Sequence, residues 1–233
     1  MKVKFLEEKA IEAEAALLLK AYEQQFDMRI APPVPIEEII ECHLELDLRF
    51  GNLEIRFGRK EVLGAIWIKE KKIVVDESID PTTYPAKNGR YRFTLGHEVG
   101  HWVLHRGYYF AQSLQFDLFG ASDQPSIVCR NGDTAPIEWQ ANAFSACVLM
   151  PKELVQDAWE QKQGTLRPYD ATDDVRVLSS KWSSGEDEVP IVQIAREMAG
   201  PFQVSPQAMQ IKLTGLGLIQ LHKESSALFD KWK

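Results

Sequence analysis

Arg92-Phe93-Thr94-Leu95-Gly96-His97-Glu98-Val99-Gly100-His101-Trp102-Val103-Leu104-His105 places the pattern H-E-x-x-H inside an apolar run. A helix turns about 100° per residue, so His97 and His101 fall one turn apart on one face, where two imidazoles can grip a single metal ion. Glu98 lies beside that face. From there a carboxylate cannot reach the ion comfortably, but it can take a proton from a water the ion activates and return it to a leaving amine. Phe93, Leu95, Val99, Trp102, Val103 and Leu104 surround the polar trio, which is the pattern of a helix buried on most sides with one polar stripe. Gly96 and Gly100 each cost about 1 kcal/mol relative to alanine in a helix interior, so they imply a neighbour packed hard against the backbone. Two histidines and a glutamate on such a helix are costly unless they are partnered, which weighs against plain core burial.

Zinc takes three protein ligands in a catalytic site and keeps a fourth position open. A third histidine six residues after His101 would fall on Gly107, which excludes that class of peptidase. His105 sits about 6 Å beyond His101 along a regular helix and is rotated off the stripe, so it reads as a supporting or structural residue. The other candidate is in Thr134-Ala135-Pro136-Ile137-Glu138-Trp139-Gln140-Ala141-Asn142-Ala143-Phe144-Ser145-Ala146-Cys147-Val148-Leu149-Met150-Pro151. This stretch predicts a second helix, capped by Asp133 or Thr134, entered through Pro136 and stopped by Pro151. Ile137, Ala141, Phe144 and Val148 form its apolar row. Ala141, Asn142 and Ser145 are small enough to let it approach the glycine face of the first helix. Glu138, in its first turn, would complete a His, His, Glu set there; it is equally at home as a solvated acid favoured by the helix dipole.

The blocks F-T-L-G-H-E-V-G-H-W-V-L-H and E-W-Q-A-N-A-F-S-A-C-V-L-M-P together resemble the ImmA/IrrE family of zinc metallopeptidases. The resemblance extends upstream to Gly64-Ala65-Ile66-Trp67-Ile68 and Ile73-Val74-Val75-Asp76. Downstream it takes in Val204 to Met209 and Leu216 to Ile219. It implies an α+β fold with a zincin-like metallopeptidase core, its active-site helices packed on a small mixed sheet. It further implies that His97, His101 and Glu138 bind Zn2+ and that Glu98 is the catalytic acid and base. Family members often carry a second acid just before the alanine; here that position is Gln140, which leaves Glu138 as the ligand. The segment from Arg106 to Asp133 is longer than the family's usual connection. The implied substrate is narrow: a helix-turn-helix repressor of the Xre type, cleaved to relieve repression.

The totals set bounds on the rest. A chain of 233 residues with 45% hydrophobic and 26% charged residues is ordinary for a globular protein with one core or a core plus an annex. A net charge of -7 disfavours broad attraction to nucleic acid or anionic membranes. Cys42, Cys129 and Cys147 are odd in number and unclustered, so neither a disulfide framework nor a cysteine metal site is suggested. With no signal-peptide pattern at Met1 to Phe5 and no apolar run long enough to span a bilayer, the expected location is the cytoplasm.

Phe5 to Phe26 reads as a packing helix, and Ile36 to His43 as a short helix entered through Pro35. His43 reads as a capping or surface residue. Leu44 to Phe50 alternates like a strand, and Val62 to Ile68 with Lys72 to Val75 form a hairpin about Lys69-Glu70-Lys71. An exposed edge strand could take an extended substrate by backbone pairing, and Gly64 to Trp67 is the candidate. Arg90 and Arg92 are expected at a solvated helix start, with contact to acidic groups or a substrate carboxylate as the alternative. The segment 106–133 predicts a partly helical flap, with Tyr108 or Tyr109 a candidate to stabilise the oxyanion.

The domain reading is a peptidase domain at 1–165 and a C-terminal helical annex at 166–233. In the annex Pro190 to Met198 and a helix capped by Ser205, with Pro206 in its first turn, resemble a helix-turn-helix. From Asp187 to Leu213, however, Arg196 and Lys212 face Asp187, Glu188 and Glu197. That balance favours protein docking or packing over DNA. The alternative to a protease is a regulatory binding module, the toxin or antitoxin type of partner for such a repressor, with little or no hydrolysis. Glu98 argues against it, because a metal held only for structure has no need of a base beside it.

Overall fold

In the computed structural model the segment carrying H-E-x-x-H is the buried centre of the first of two compact units, Met1–Pro151 and Lys152–Lys233. The described residues are 3–58, 62–110, 127–130, 135–172, 174 and 190–220. The expected boundary at residue 165 falls after the helix that opens the second unit.

In the first unit, α1 (Glu8–Phe26) buries Ile11, Ala15, Leu18, Leu19 and Tyr22 at helical spacing. Of the run Leu17-Leu18-Leu19 only Leu17 points outward. A short helix, α2 (Ile36–Glu38), continues as a π-turn over Ile39–His43. Then come β1 (Asp47–Gly51), the short α3 (Leu53–Phe57), and the hairpin of β2 (Val62–Trp67) and β3 (Lys72–Asp76). Helix α3, which the sequence does not announce, is held at its start by the buried Asp76 carboxylate, which accepts from Leu53 N at 2.8 Å.

The sheet is mixed, with order β1-β3-β2-β4, where β4 is Ile127–Arg130. β1 runs parallel to β3, while β2 is antiparallel to both β3 and β4. This corrects the expectation for Gly64 to Trp67. Gly64 to Ile66 is interior, its backbone paired on both sides, because β4 forms within the segment read as a flap. The free edges among the described residues belong to β1 and β4.

Helix α4 (Asn88–Gly100) packs on β2 and β3, and α5 (Pro136–Leu149) packs on α4 and α1. The glycines act as expected. A Cβ at Gly96 would meet Ser145 Oγ at 2.6 Å, and one at Gly100 would meet Ala141 Cα at 3.1 Å. The two helices therefore approach at backbone distance. Ser145 uses that closeness to donate from Oγ to the Phe93 carbonyl at 2.8 Å. The N-cap of α5 is Ala135, with no side-chain cap bond. Asp133 and Thr134, expected there, lie outside the described residues.

Arg92 also differs from expectation. It is buried, not solvated, with Nη2 donating to the Val34 carbonyl and Nη1 3.7 Å from Glu37. Its partners come from α2 and the loop before it, the contact with Val34 spanning 58 positions that no local pattern reveals. Arg90 is exposed, as expected.

In the second unit, α6 (Lys152–Gln163) buries Val155 and Trp159. Helices α7 (Gln193–Phe202) and α8 (Pro206–Gly215) pack together through Ile194, Ala195, Met198, Phe202, Met209 and Leu213. Ser205 caps α8 as expected, accepting from Ala208 N at 3.1 Å. Two short strands, β5 (Tyr169–Asp170) and β6 (Ile219–Gln220), pair in parallel. No helix among the described residues is long and apolar enough to cross a membrane.

Candidate metal centre

His97 projects from α4 and His101 from the turn that continues it, both toward α5, and Glu138 projects back from the first turn of α5. One ligand atom from each, two imidazole nitrogens and a carboxylate oxygen, lie within 4.8 Å of one another. His97 Nε2 is 2.9 Å from His101 Nε2. Glu138 Oε2 is 3.1 Å from His97 Nε2, and Oε1 is 3.5 Å from His101 Nε2. All three residues are buried, with His101 at 0% exposure. Three donors aimed at one point need a positive charge there; a proton shared among them, or a cation, supplies it.

The outer ring nitrogens show which of the two the site suits. His97 Nδ1 lies 2.8 Å from Asn142 Oδ1, an acceptor, so Nδ1 carries the proton and Nε2 presents its lone pair inward. His101 Nδ1 is likewise engaged, 3.0 Å from His105 Nδ1. Two imidazoles locked from behind and a carboxylate form an N, N, O donor set that fits zinc. Burial pushes His101 down to about 4, which keeps the ring neutral as a ligand must be. Burial pushes Glu138 up, but the positive charge that its contacts with His101 and His97 require, a shared proton or a cation, outweighs it and holds the carboxyl at about 2, so it stays charged.

Glu98 is the odd member. It is 0% exposed, and neither carboxylate oxygen has a hydrogen-bond partner. Burial, offset in part by His97 and reinforced by Glu138, raises it to about 8. A Cβ at Gly64 on β2 would fall 2.5 Å from Glu98 Oε1 and 2.7 Å from Thr94 Cγ2, so only glycine leaves room for this carboxylate. An unpartnered buried carboxylate beside a metal-competent cluster is arranged to handle a proton.

Beyond His101 the helix does not continue as drawn from sequence. It opens into a π-turn over His101–His105, a feature frequent at functional sites, and then one further helical turn at 106–110. The wider turn brings His105, fully buried, against His101 instead of off the stripe. His105 Nε2 is 3.4 Å from Gln140 Oε1, and Gln140 Nε2 donates to the Lys4 carbonyl at 3.2 Å. Burial holds His105 below its ordinary value. Tyr108 is exposed and Tyr109 packs its ring against Phe110. His43 is a surface contact, with Nδ1 2.5 Å from Gln25 Oε1.

Sequence reasoning overlooked Asn142 as a partner of His97. Its spacing was a usable signal, because Asn142 stands four residues after Glu138 and so shares its face of α5. Gly64 gave no comparable signal, since its neighbour Glu98 is distant in sequence.

An α+β unit with a buried His, His, Glu cluster and an unpartnered acid between them is organised as a metallopeptidase is. The chain belongs to the peptidase M78 family: the IrrE N-terminal-like domain matches residues 86–214, a span that includes α4, α5 and the α7 and α8 pair. No curated protein matches the chain.

Proposed function

We propose that this chain is a zinc endopeptidase that cuts a peptide bond in one particular protein, a helix-turn-helix repressor of the Xre type, and so controls gene expression from the cytoplasm. The observation that carries the reading is the pairing of a metal-competent cluster with Glu98, whose two buried oxygens have no partner. Zinc held by His97, His101 and Glu138 would polarise the scissile carbonyl and lower the pKa of a water toward about 7. Glu98 takes that water's proton and passes it to the departing amine nitrogen, which leaves protonated as the C–N bond breaks. Asn142 orients His97, and Gly64 keeps the space in which Glu98 works. The α7 and α8 pair, poor in cations, serves to dock protein and not to read DNA.

The test is to incubate the zinc-loaded protein with the soluble proteins of its own host and label new N-termini. Wild type should generate a new terminus in a helix-turn-helix repressor, and Glu98→Gln, with zinc content unchanged, should not. New termini from both proteins alike, or from neither, would remove the protease reading and leave the binding module.

A further inference from the structure

We propose that His105, backed by Gln140 and the carbonyl of Lys4, is a positioning relay that sets the protonation of His101 so that its Nε2 lone pair faces the metal. The inference rests on the reading that His97, His101 and Glu138 hold a cation. The Lys4 carbonyl can only accept, so the group 3.2 Å from it must be the amide nitrogen of Gln140, which fixes the orientation of that side chain. Gln140 Oε1 then faces His105 Nε2 at 3.4 Å and can only accept as well, so His105 carries its proton on Nε2. A neutral imidazole has one N–H, which leaves Nδ1 of His105 as an acceptor. The remaining contact, 3.0 Å between the two Nδ1 atoms, needs one proton, and His101 must supply it. His101 Nε2 is thereby unprotonated. Reversing the chain would require a carbonyl oxygen to donate.

The surroundings leave this order no substitute. His101, His105 and Gln140 are each 0% exposed, so bulk water cannot replace a missing member. The segment that supplies the terminal carbonyl is held by the stacking of Phe5 on Trp139, with ring centroids 5.4 Å apart and planes at 17°. Trp139 lies between Glu138 and Gln140 in the chain, so the same turn of α5 carries a ligand and the relay. The π-turn at His101–His105 places the two imidazoles together. Such a partner fixes both the tautomer and the ring orientation of a ligand, and its loss typically costs about 10- to 100-fold in metal affinity.

The experiment measures zinc affinity by competition with a chromophoric chelator, alongside the cobalt absorption spectrum of each protein. Wild type should bind one ion and Glu138→Ala should lose it. His105→Phe, which removes the acceptor, should bind zinc about 10- to 100-fold more weakly with an altered cobalt spectrum. His105→Gln, which can accept from His101 and donate to Gln140, should return to within about threefold of wild type. Zinc binding by His105→Phe equal to wild type, or by His105→Gln as weak as His105→Phe, overturns the relay while leaving the metal site standing. Absence of zinc from wild type overturns the metal site and the relay together. Should His105→Phe fail to fold, the wild-type protein still decides: two-bond 15N–1H correlation should show His105 protonated on Nε2, and protonation on Nδ1 overturns the proposal.

Discussion

Two helix pairs in this molecule are built on opposite terms. α7 and α8 meet through Ile194, Ala195, Met198, Phe202, Met209 and Leu213, and their one buried polar side chain, Gln210, accepts from Val192 N at 2.7 Å and donates to the Pro190 carbonyl at 3.0 Å. α4 and α5 meet through glycine, alanine and serine, and they bury His97, Glu98, His101, Glu138 and Gln140. The first pair gains from apolar burial and pairs its buried amide side chain, leaving the Thr214 hydroxyl without a partner. The second brings the backbones together at positions that contribute little apolar area, and encloses charge that only a cation or protons can balance. The contrast predicts that metal raises the hydrogen-exchange protection of α4 and α5 amides and leaves α7 and α8 unaffected.

The largest expected effect sharpens that contrast. In metal-free protein Glu98 binds its proton until about pH 8, whereas its ordinary value is 4.5. Between those values the folded chain holds a proton that the unfolded chain has released. Stability therefore falls as pH rises through this window, by about 1.4 kcal/mol per unit. Glu98→Gln has no such term. Metal-free Glu98→Gln should match wild type near pH 4.5 and exceed it by roughly 4–5 kcal/mol at pH 8, read from exchange of the slowest α4 amides. A difference that does not grow with pH would mean that Glu98 has a partner in solution.

On the apolar side, Phe202→Ala should cost about 3–5 kcal/mol through the cavity it leaves among Met198, Met209 and Leu213, with zinc affinity within error of wild type. If zinc affinity falls as well, the two pairs are coupled. A smaller effect is expected from Gly96→Ala. Its methyl would lie 2.6 Å from Ser145 Oγ and 3.2 Å from Ser145 Cα, so backbone has to move. About 1–3 kcal/mol of overpacking follows, and because α5 carries Glu138, zinc should bind more weakly too. Intact zinc affinity in Gly96→Ala would show that α5 yields without shifting its ligand.

What could be read from the sequence divides along similar lines. His97, Glu98 and His101 were legible because the helical period is local; for Glu138 the proline-bounded helix with small residues three and four positions on left a ligand and a solvated acid equally open, and only the family resemblance chose between them. The hairpin of β2 and β3 was legible from two short apolar runs joined by a charged turn. The interior place of Gly64 to Ile66 was not, since it depends on β4, which arises in a segment without strand alternation. Arg92 looked solvated because its acceptor, Val34 O, lies across 58 positions. His105 stands behind His101 as the supporting residue it was read to be, but its place on the stripe was not legible: regular α geometry was assumed, and one π-turn changes which side chains face each other.

The smallest prediction pairs two serines. Ser145 donates to the Phe93 carbonyl at 2.8 Å, tying α5 to α4, and Ser205 accepts from Ala208 N at 3.1 Å, capping α8. Each makes one hydrogen bond, and replacing either with alanine should cost about 1 kcal/mol. Equal cost is where the likeness ends. Ser145→Ala releases a backbone carbonyl two residues before the Leu95-Gly96-His97 turn and should raise exchange in α4 and α5, an increase that zinc reverses. Ser205→Ala should raise exchange only in the first turn of α8, with or without zinc. If zinc suppresses both increases equally, the metal stabilises the chain as one body and the two helix pairs are not built on separate terms. If it suppresses only the first, the polar pair is the part of the fold that the metal completes, because its buried charges are the ones a cation balances.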